Sequence, residues 1–239
     1  MGFLVNMIDF SRSQALLGGR AMARLAAAKV LLVGCGGVGG WCAEALVRTG
    51  VGHLPLIDDD KVAPSNLNRQ CPATSGNIGK VKVEAMRERL ISINPGAEIL
   101  ALDRRYPACG DRPDLKGFDV VIDAIDSVDC KARLILDALD SAVPVISSMG
   151  AALRFDPSAV RVSRFEKVEG DGLAKALRRR FKLLGVRPGR FSAVWSTETP
   201  CRLEGAVKGS LMQVVAVFGM TLASECIKTL VAGDNGCFR

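Results

Sequence analysis

One histidine stands in the chain, and none of its eight cysteines belongs to a Cys-x-x-Cys pair, so the usual donors of a structural zinc site are missing. A chain of 239 residues can bury a core without covalent staples. Its scattered cysteines therefore fit reduced thiols in a cytoplasm and not a disulfide framework. Met1 to Asp9 lacks a basic start followed by a long apolar core, so no secretory leader is expected there. The longest apolar run, Leu211 to Ala223, is too short for a bilayer and contains Gln213 and Gly219. It predicts a buried helix and no membrane partner. Repeats, low-complexity tracts and linkers are also absent, which predicts one domain over residues 1–239. Acids are the scarcer charge. A formal net charge of +7 and a pI near 9.1 favour an anionic partner such as RNA.

What the chain does have is a βαβ pattern between Lys29 and Asp60. The run Val30-Leu31-Leu32-Val33 has strand length and β-branched character. Gly34-Cys35-Gly36-Gly37-Val38-Gly39 follows, then a helical pattern from Trp41 to Thr49 stopped by Gly50. A second apolar run, His53 to Ile57, ends in Asp58, Asp59 and Asp60. Strand, Gly-x-Gly-x-x-Gly, helix, strand and acid is the order of a nucleotide-binding unit. Gly34, Gly36, Gly37 and Gly39 let the chain turn tightly and bring backbone N–H groups to a phosphate, and the helix N-terminus adds partial positive charge. Asp58, nineteen residues past Gly39, is placed to accept from a ribose hydroxyl. The unit does not by itself choose between ATP and a dinucleotide such as NAD.

Asp9 to Arg24 predicts a helix with Leu16 and Leu17 on its apolar side, and Arg12 near its start reads as a solvated arginine. Lys61 to Gly79 is polar and loop-like, and lies where an α/β sheet keeps its site. Within it Arg69 can grip a phosphate and Asn66 can donate to one; both are equally ordinary loop residues. Ile78 to Asn94 predicts an amphipathic helix with Val83, Met86, Leu90 and Ile93 inward and Lys82 near its start. Strands are expected at Glu98 to Leu102, Phe118 to Ile122 and Pro144 to Ser147. The second runs into Asp123-Ala124-Ile125-Asp126-Ser127, just before a helix carrying Val128, Ala132, Ile135 and Leu139. Carboxylates there either cap the helix or hold a magnesium ion through water. This alternation predicts a doubly wound, mainly parallel Rossmann-like α/β sheet over about 25–150, with an elaborated C-terminal part over about 151–239.

That last part holds an alternating strand at Val160, Val162 and Phe165, and a helix from Gly172 to Leu184. Leu173, Leu177, Phe181 and Leu184 are expected inward, with Lys175, Arg178, Arg179, Arg180 and Lys182 outward. Arg161 to Arg190 carries ten Lys or Arg against three acids, so RNA phosphate contact and plain solvation are equally good readings. Val207 to Leu230 is the closing apolar helix.

The glycine turn, Asp58-Asp59-Asp60, Ser65-Asn66-Leu67-Asn68-Arg69-Gln70, Lys82, Ile93-Asn94-Pro95 and Asp123 to Ser127 together resemble the ubiquitin-activating and sulfur-carrier adenylyltransferases. Gly36 to Gly52, Ala124 to Ile135, Val194 to Glu198 and the opening Phe10-Ser11-Arg12 are similar to the tRNA threonylcarbamoyladenosine dehydratases within that superfamily. The resemblance implies ATP and magnesium as cofactors, not NAD. It places Gly34, Gly36, Gly37 and Gly39 at the ATP turn, Asp58 at the ribose with Asp60 beside it, and Asn66, Arg69 and Lys82 at the phosphates. Asp126 would bind the magnesium, with Ser127 adjoining. Arg12 would reach the ATP of the neighbouring subunit in a homodimer, so Arg12, Arg69, Lys82 and Asp126 form the implied catalytic set.

The implied substrate is tRNA carrying threonylcarbamoyladenosine beside the anticodon. Its carboxylate would be adenylated and then attacked by its own carbamoyl group, closing a ring with release of AMP. Sulfur-transfer proteins are implied partners. Where some relatives carry a cysteine before the closing helix, this chain has Glu204, with Cys201 nearby, and Cys201 and Cys226 read as packing residues. The second reading is an adenylyltransferase for a small sulfur-carrier or ubiquitin-like protein; an NAD-dependent oxidoreductase or a non-catalytic nucleotide sensor are readings of a different class.

Overall fold

The computed structural model describes residues 8–110, 112–201 and 208–232; Val207 and Glu204 lie outside them. Its elements run α1 (Ser11–Ala27), β1 (Val30–Val33), α2 (Gly39–Thr49), β2 (Leu56–Asp58), α3 (Lys82–Ile93), β3 (Ala101–Asp103), β4 (Val120–Asp123), α4 (Val128–Asp140), β5 (Val145–Ser148), β6 (Val160–Arg164), α5 (Gly172–Leu183), β7 (Ser192–Ser196) and α6 (Met212–Val231). One sheet in the order β3-β2-β1-β4-β5-β7-β6 joins all seven strands. Every pairing is parallel except β6 with β7. The expected α/β architecture, mainly parallel and doubly wound, is what the chain forms.

The central strands are buried on both faces, as their unbroken apolar runs require. Side chains alternate across the sheet: Val30 and Leu32 enter one apolar cluster with Leu46, Met86 and Phe218, while Leu31 and Val33 enter the other with Leu134, Leu177 and Phe181. Helices α1, α2, α3 and α6 supply the first cluster, and α4 and α5 the second.

Several boundaries differ from the sequence expectation, each for a local reason. Gly18 adopts φ +81° inside α1 and breaks its phase, so the buried line is Leu17, Ala21 and Leu25, and Leu16 is 76% exposed. Helix α3 starts at Lys82 and not at Ile78, because Gly79 takes φ +88° and Val81 is bridged to Lys61. Phe165 leaves β6 for a 3₁₀ turn and packs against Phe181 and Phe191. Leu184 lies past the end of α5 and is exposed. The closing helix begins at Met212, five residues after Val207, and its 20 residues are long and apolar enough to span a bilayer. Packing decides its role: Val214, Val215, Phe218, Leu222 and Cys226 are buried in the first cluster. A Cβ on Gly219 would sit 2.5 Å from the Val38 carbonyl oxygen, so α6 presses on α2 through a residue that must lack a side chain.

Glu44 of α2 is buried on the side that faces α3 and the Cys71 loop. It accepts from Arg48 Nε at 2.8 Å, Arg89 Nε at 2.6 Å and the Cys71 thiol at 3.0 Å. Burial pushes its carboxyl up, but these donors more than offset that and bring it to about 2, below the ordinary 4.5. A folded pKa below the unfolded one stabilises the fold above that unfolded value and loses the contribution as pH falls toward 2. Glu44→Gln should therefore flatten the acid limb of stability between about pH 5 and pH 2.5, measured by urea unfolding at each pH. An unchanged limb would show that Glu44 is not linked to folding.

Candidate nucleotide-binding site

The chain leaves β1 toward one face of the sheet, through α2, and leaves the adjacent β4 toward the other, through α4. Strands that part in this way open a crevice at their carboxyl ends. Here it is a cleft of about 800 Å³.

The four glycines do two different jobs. Gly34 has φ +96°, and a Cβ there would lie 2.6 Å from the Ala124 carbonyl oxygen; a Cβ on Gly39 would lie 1.8 Å from the Gly34 carbonyl oxygen. These two close the turn against β4 and α2. Gly36 and Gly37 have ordinary space around them and line the cleft, so their missing side chains leave backbone open to a ligand. Close helix–strand packing thus accounts for Gly39, and access for the middle pair.

Asp58 ends β2 at the cleft wall. Its Oδ2 accepts the Cys35 N–H at 2.6 Å and its Oδ1 the Asp60 N–H at 2.9 Å, which ties the acid to the glycine turn. Burial pushes its carboxyl up against the pull of Lys82 and these N–H donors. Lys82, buried at the start of α3, donates to Asp60 at 2.8 Å and lies 3.7 Å from Asp58. The Asp58-Asp59-Asp60 oxygens approach one another within 4.8 Å, and Lys82 and Arg105, which pairs with Asp59 at 3.1 Å, answer that charge. Arg69 lines the cleft beside Gly37, its Nη1 donating to the Ser65 carbonyl and to Asn68, and Trp41 Nε1 holds the Arg69 carbonyl at 3.0 Å. Asp126 and Ser127 line the opposite wall at the start of α4. Asp126 is exposed to the cleft, and among the described residues no side chain pairs with its carboxylate, which suits it to a cation. The Cys35 thiol in the turn is buried and pushed up by burial and by Asp58, so it offers no thiolate.

Three expected site residues stand apart. Asn66 turns its Oδ1 to the Ala63 N–H at 3.0 Å and shapes its loop without lining the cleft. Gly39 lies behind the turn. Arg12, exposed at the start of α1, does not line its own chain's cleft. On the basic helix, Lys175, Arg179 and Lys182 are exposed as expected; Arg180 pairs with Asp129 at 2.8 Å, and Arg178 bends back onto Phe165.

Other residues complete the cleft without a signal in their own stretch of sequence. Met149 to Leu153, Gly172, Leu173, Lys208 and Ser210 form its far half. Arg154 and Asp171 are buried beneath it as an ion pair at 3.0 Å, and Asp171 also receives the Gly150 and Ala174 N–H groups. Lys131, wholly buried, spends its three protons on Asp123 (2.6 Å), Ser147 (3.3 Å) and the Ser148 carbonyl (3.0 Å). Asp123 is therefore a strut and not a ligand. Lys131 had a signal: it falls at helical spacing between Val128 and Ile135, on the buried face of α4.

Fold and cleft together define a nucleotide-binding α/β protein with its site at the sheet's switch point. The sequence matches the ThiF family over residues 10–237, and the chain belongs to that family. It is 36% identical over 197 residues to a tRNA threonylcarbamoyladenosine dehydratase of Bacillus subtilis, covering 80% of this chain and 76% of that one. It is 34% identical over 250 residues to the Escherichia coli protein of the same name, covering 93% of each. The crystal structure of that E. coli dehydratase with AMP superposes with a TM-score of 0.87 over 93% of this chain and 94% of the other, and the ATP complex gives 0.86.

The two kinds of glycine should separate on substitution. Gly34→Ala should cost about 2–3 kcal/mol of stability through strain and a backbone clash. Gly36→Ala should stay within about 0.5 kcal/mol of wild type in denaturant unfolding. Equal losses would remove the division of labour drawn here.

Proposed function

We propose that this protein is an ATP-dependent tRNA threonylcarbamoyladenosine dehydratase that adenylates the threonyl carboxylate of its substrate. One observation carries the reading: the cleft lined by Gly36 and Gly37 of the glycine turn is also lined by Met149–Leu153, Gly172 and Lys208 from other elements. The names of the Bacillus and E. coli relatives, and the AMP and ATP of the E. coli complexes, support the same assignment.

In this reading Asp58 takes the ribose hydroxyls, with Asp60 behind it holding Lys82. The Gly36 and Gly37 backbone, Arg69 and Lys82 take the phosphates, Asn66 sets the loop that carries Arg69, and Ser127 lies beside Asp126. A magnesium ion, when bound, would be held by Asp126 and would offset phosphate charge. The substrate carboxylate enters from the far chamber, where Lys208 steadies its charge. Its oxygen attacks the α-phosphorus and pyrophosphate leaves. The cations and N–H donors lower the repulsion between two anions, which is most of the barrier. The tethered carbamoyl group then attacks the activated carbonyl, a proton is lost, the ring closes and AMP leaves. Proximity within one side chain serves in place of an enzyme nucleophile.

Arg12 is assigned to the cleft of a second copy in a homodimer, because it lies outside its own. The protein works in the cytoplasm as one nucleotide-binding unit with a C-terminal elaboration, the exposed Lys175, Arg179 and Lys182 adding phosphate contacts to tRNA. Sulfur-transfer partners draw no support from the buried Cys35, Cys42, Cys71 and Cys226, all pushed up by burial.

The deciding measurement is AMP release from ATP with tRNA bearing the modification, with unmodified tRNA, and with a sulfur-carrier protein. Release only with the modified tRNA is expected; release with the carrier protein instead would overturn the assignment. Asp126→Asn should reduce ATP–pyrophosphate exchange about 100-fold with the fold intact, since an amide cannot balance a cation. Exchange near the wild-type rate would dismiss the role given to Asp126. Arg12→Ala and Lys82→Met should each be inactive, whereas their mixture should regain about a quarter of wild-type activity through heterodimers with one complete site. No recovery after verified subunit exchange would place Arg12 outside a shared site.

A further inference from the structure

Beyond the cleft, a groove of about 350 Å³ lies at the C-terminal end of α5, bordered by Phe165, Arg178, Lys182, Val186 and Arg187. Its floor is unusual in how one arginine is held. Arg178 Nη2 donates to the Phe165 carbonyl at 3.1 Å and the Val168 carbonyl at 2.5 Å, and Cζ stands 4.9 Å above the Phe165 ring centroid. Phe165 in turn stacks on Phe191 at 4.7 Å and meets Phe181 edge-on at 6.2 Å. The guanidinium thereby stands over the ring of an aromatic pile, and Arg178 borders the groove.

Arg178 Nη2 already spends its protons on two backbone carbonyls, so this guanidinium has fewer donors left for a phosphate. A flat, fixed guanidinium is instead a surface on which another planar group can lie. The walls fit that use. Val186 is 37% exposed and gives an apolar side, reached by a turn at Gly185 with φ +68°. Lys182, one helical turn beyond Arg178, and Arg187 carry charges that meet no carboxylate among the described residues. Of the three acids in this basic stretch, Asp171 is already committed to Arg154.

We propose that this groove receives an unstacked nucleobase of single-stranded RNA, the base lying on Arg178 and its flanking phosphates on Lys182 and Arg187. The source of that base as the anticodon loop of substrate tRNA rests on the function proposed above; the groove itself does not. The charge excess selects a polyanion, and the planar platform selects one that carries bases.

The test uses the full-length protein and two probes of matched charge, an oligouridylate of about ten nucleotides and an inorganic polyphosphate. Wild type should bind the oligouridylate about tenfold more tightly than the polyphosphate, the increment of a stacked base. Arg178→Lys keeps the charge and loses the plane, so it should erase that preference and leave polyphosphate binding as it was. Val186→Asp, on an exposed wall where folding is not at stake, should weaken oligouridylate binding as well. Equal binding of the two probes by wild type, or an intact preference in Arg178→Lys with its thermal unfolding unchanged, would overturn the proposal. So would equally tight binding of polyglutamate, which would make the groove a dock for an acidic protein. Loss of tRNA-dependent AMP release with the oligouridylate preference intact would sink the dehydratase reading and leave the groove standing.

Discussion

The site hangs on one buried ion pair. Asp123 ends β4 with no exposure at all, and Lys131 reaches it from the next helix, equally buried. Two charges removed from water are stable there because Lys131 spends all three protons and both Asp123 oxygens accept. Lys131 binds β5 at two points, and Asp123 takes the Ser147 hydroxyl at 2.5 Å and the Ile125 N–H at 3.1 Å. That last bond fixes the loop that presents Asp126. Removing either charge strands the other in a dry interior, a loss of about 3–5 kcal/mol. The interaction therefore ties β4, β5 and α4 to the wall of the cleft.

The same economy appears at the opposite wall. Asp58 restrains the glycine turn through the Cys35 N–H and simultaneously faces Lys82, so the acid proposed for the ribose also holds the turn proposed for the phosphates. A ligand entering this cleft meets groups already fixed by other contacts. Pre-organisation of this kind lowers the cost of binding and keeps donors aimed where charge develops.

Much of this was legible in the sequence because it is local. The apolar run at Val30, the spaced glycines and the acids after β2 lie within about thirty residues, and strand and helix periods are read over similar distances. The acids after β4 announce themselves by position in the same way. The far chamber was not legible, since Met149, Gly172 and Lys208 meet only through tertiary packing. The Arg105–Asp59 and Arg154–Asp171 pairs join segments with no shared period. Arg178 shows a subtler failure. Helical spacing puts it outward correctly, but a long side chain can fold back, and where it does depends on an aromatic residue thirteen positions earlier.

The contact of α6 with α2 has a mechanical meaning. Gly219 touches the Val38 carbonyl, and Val215, one turn earlier, lies 3.4 Å from where a Cβ on Gly37 would be. The helix is thus seated on the glycine turn itself. Lys208 and Ser210, which enter that helix, form part of the far chamber, and Asn68 beside Arg69 donates to the Ser210 carbonyl at 3.4 Å. The two ends of the cleft are consequently measured from one shared datum. A shift of α6 along α2 would therefore move the glycine turn and the residues leading into the helix together.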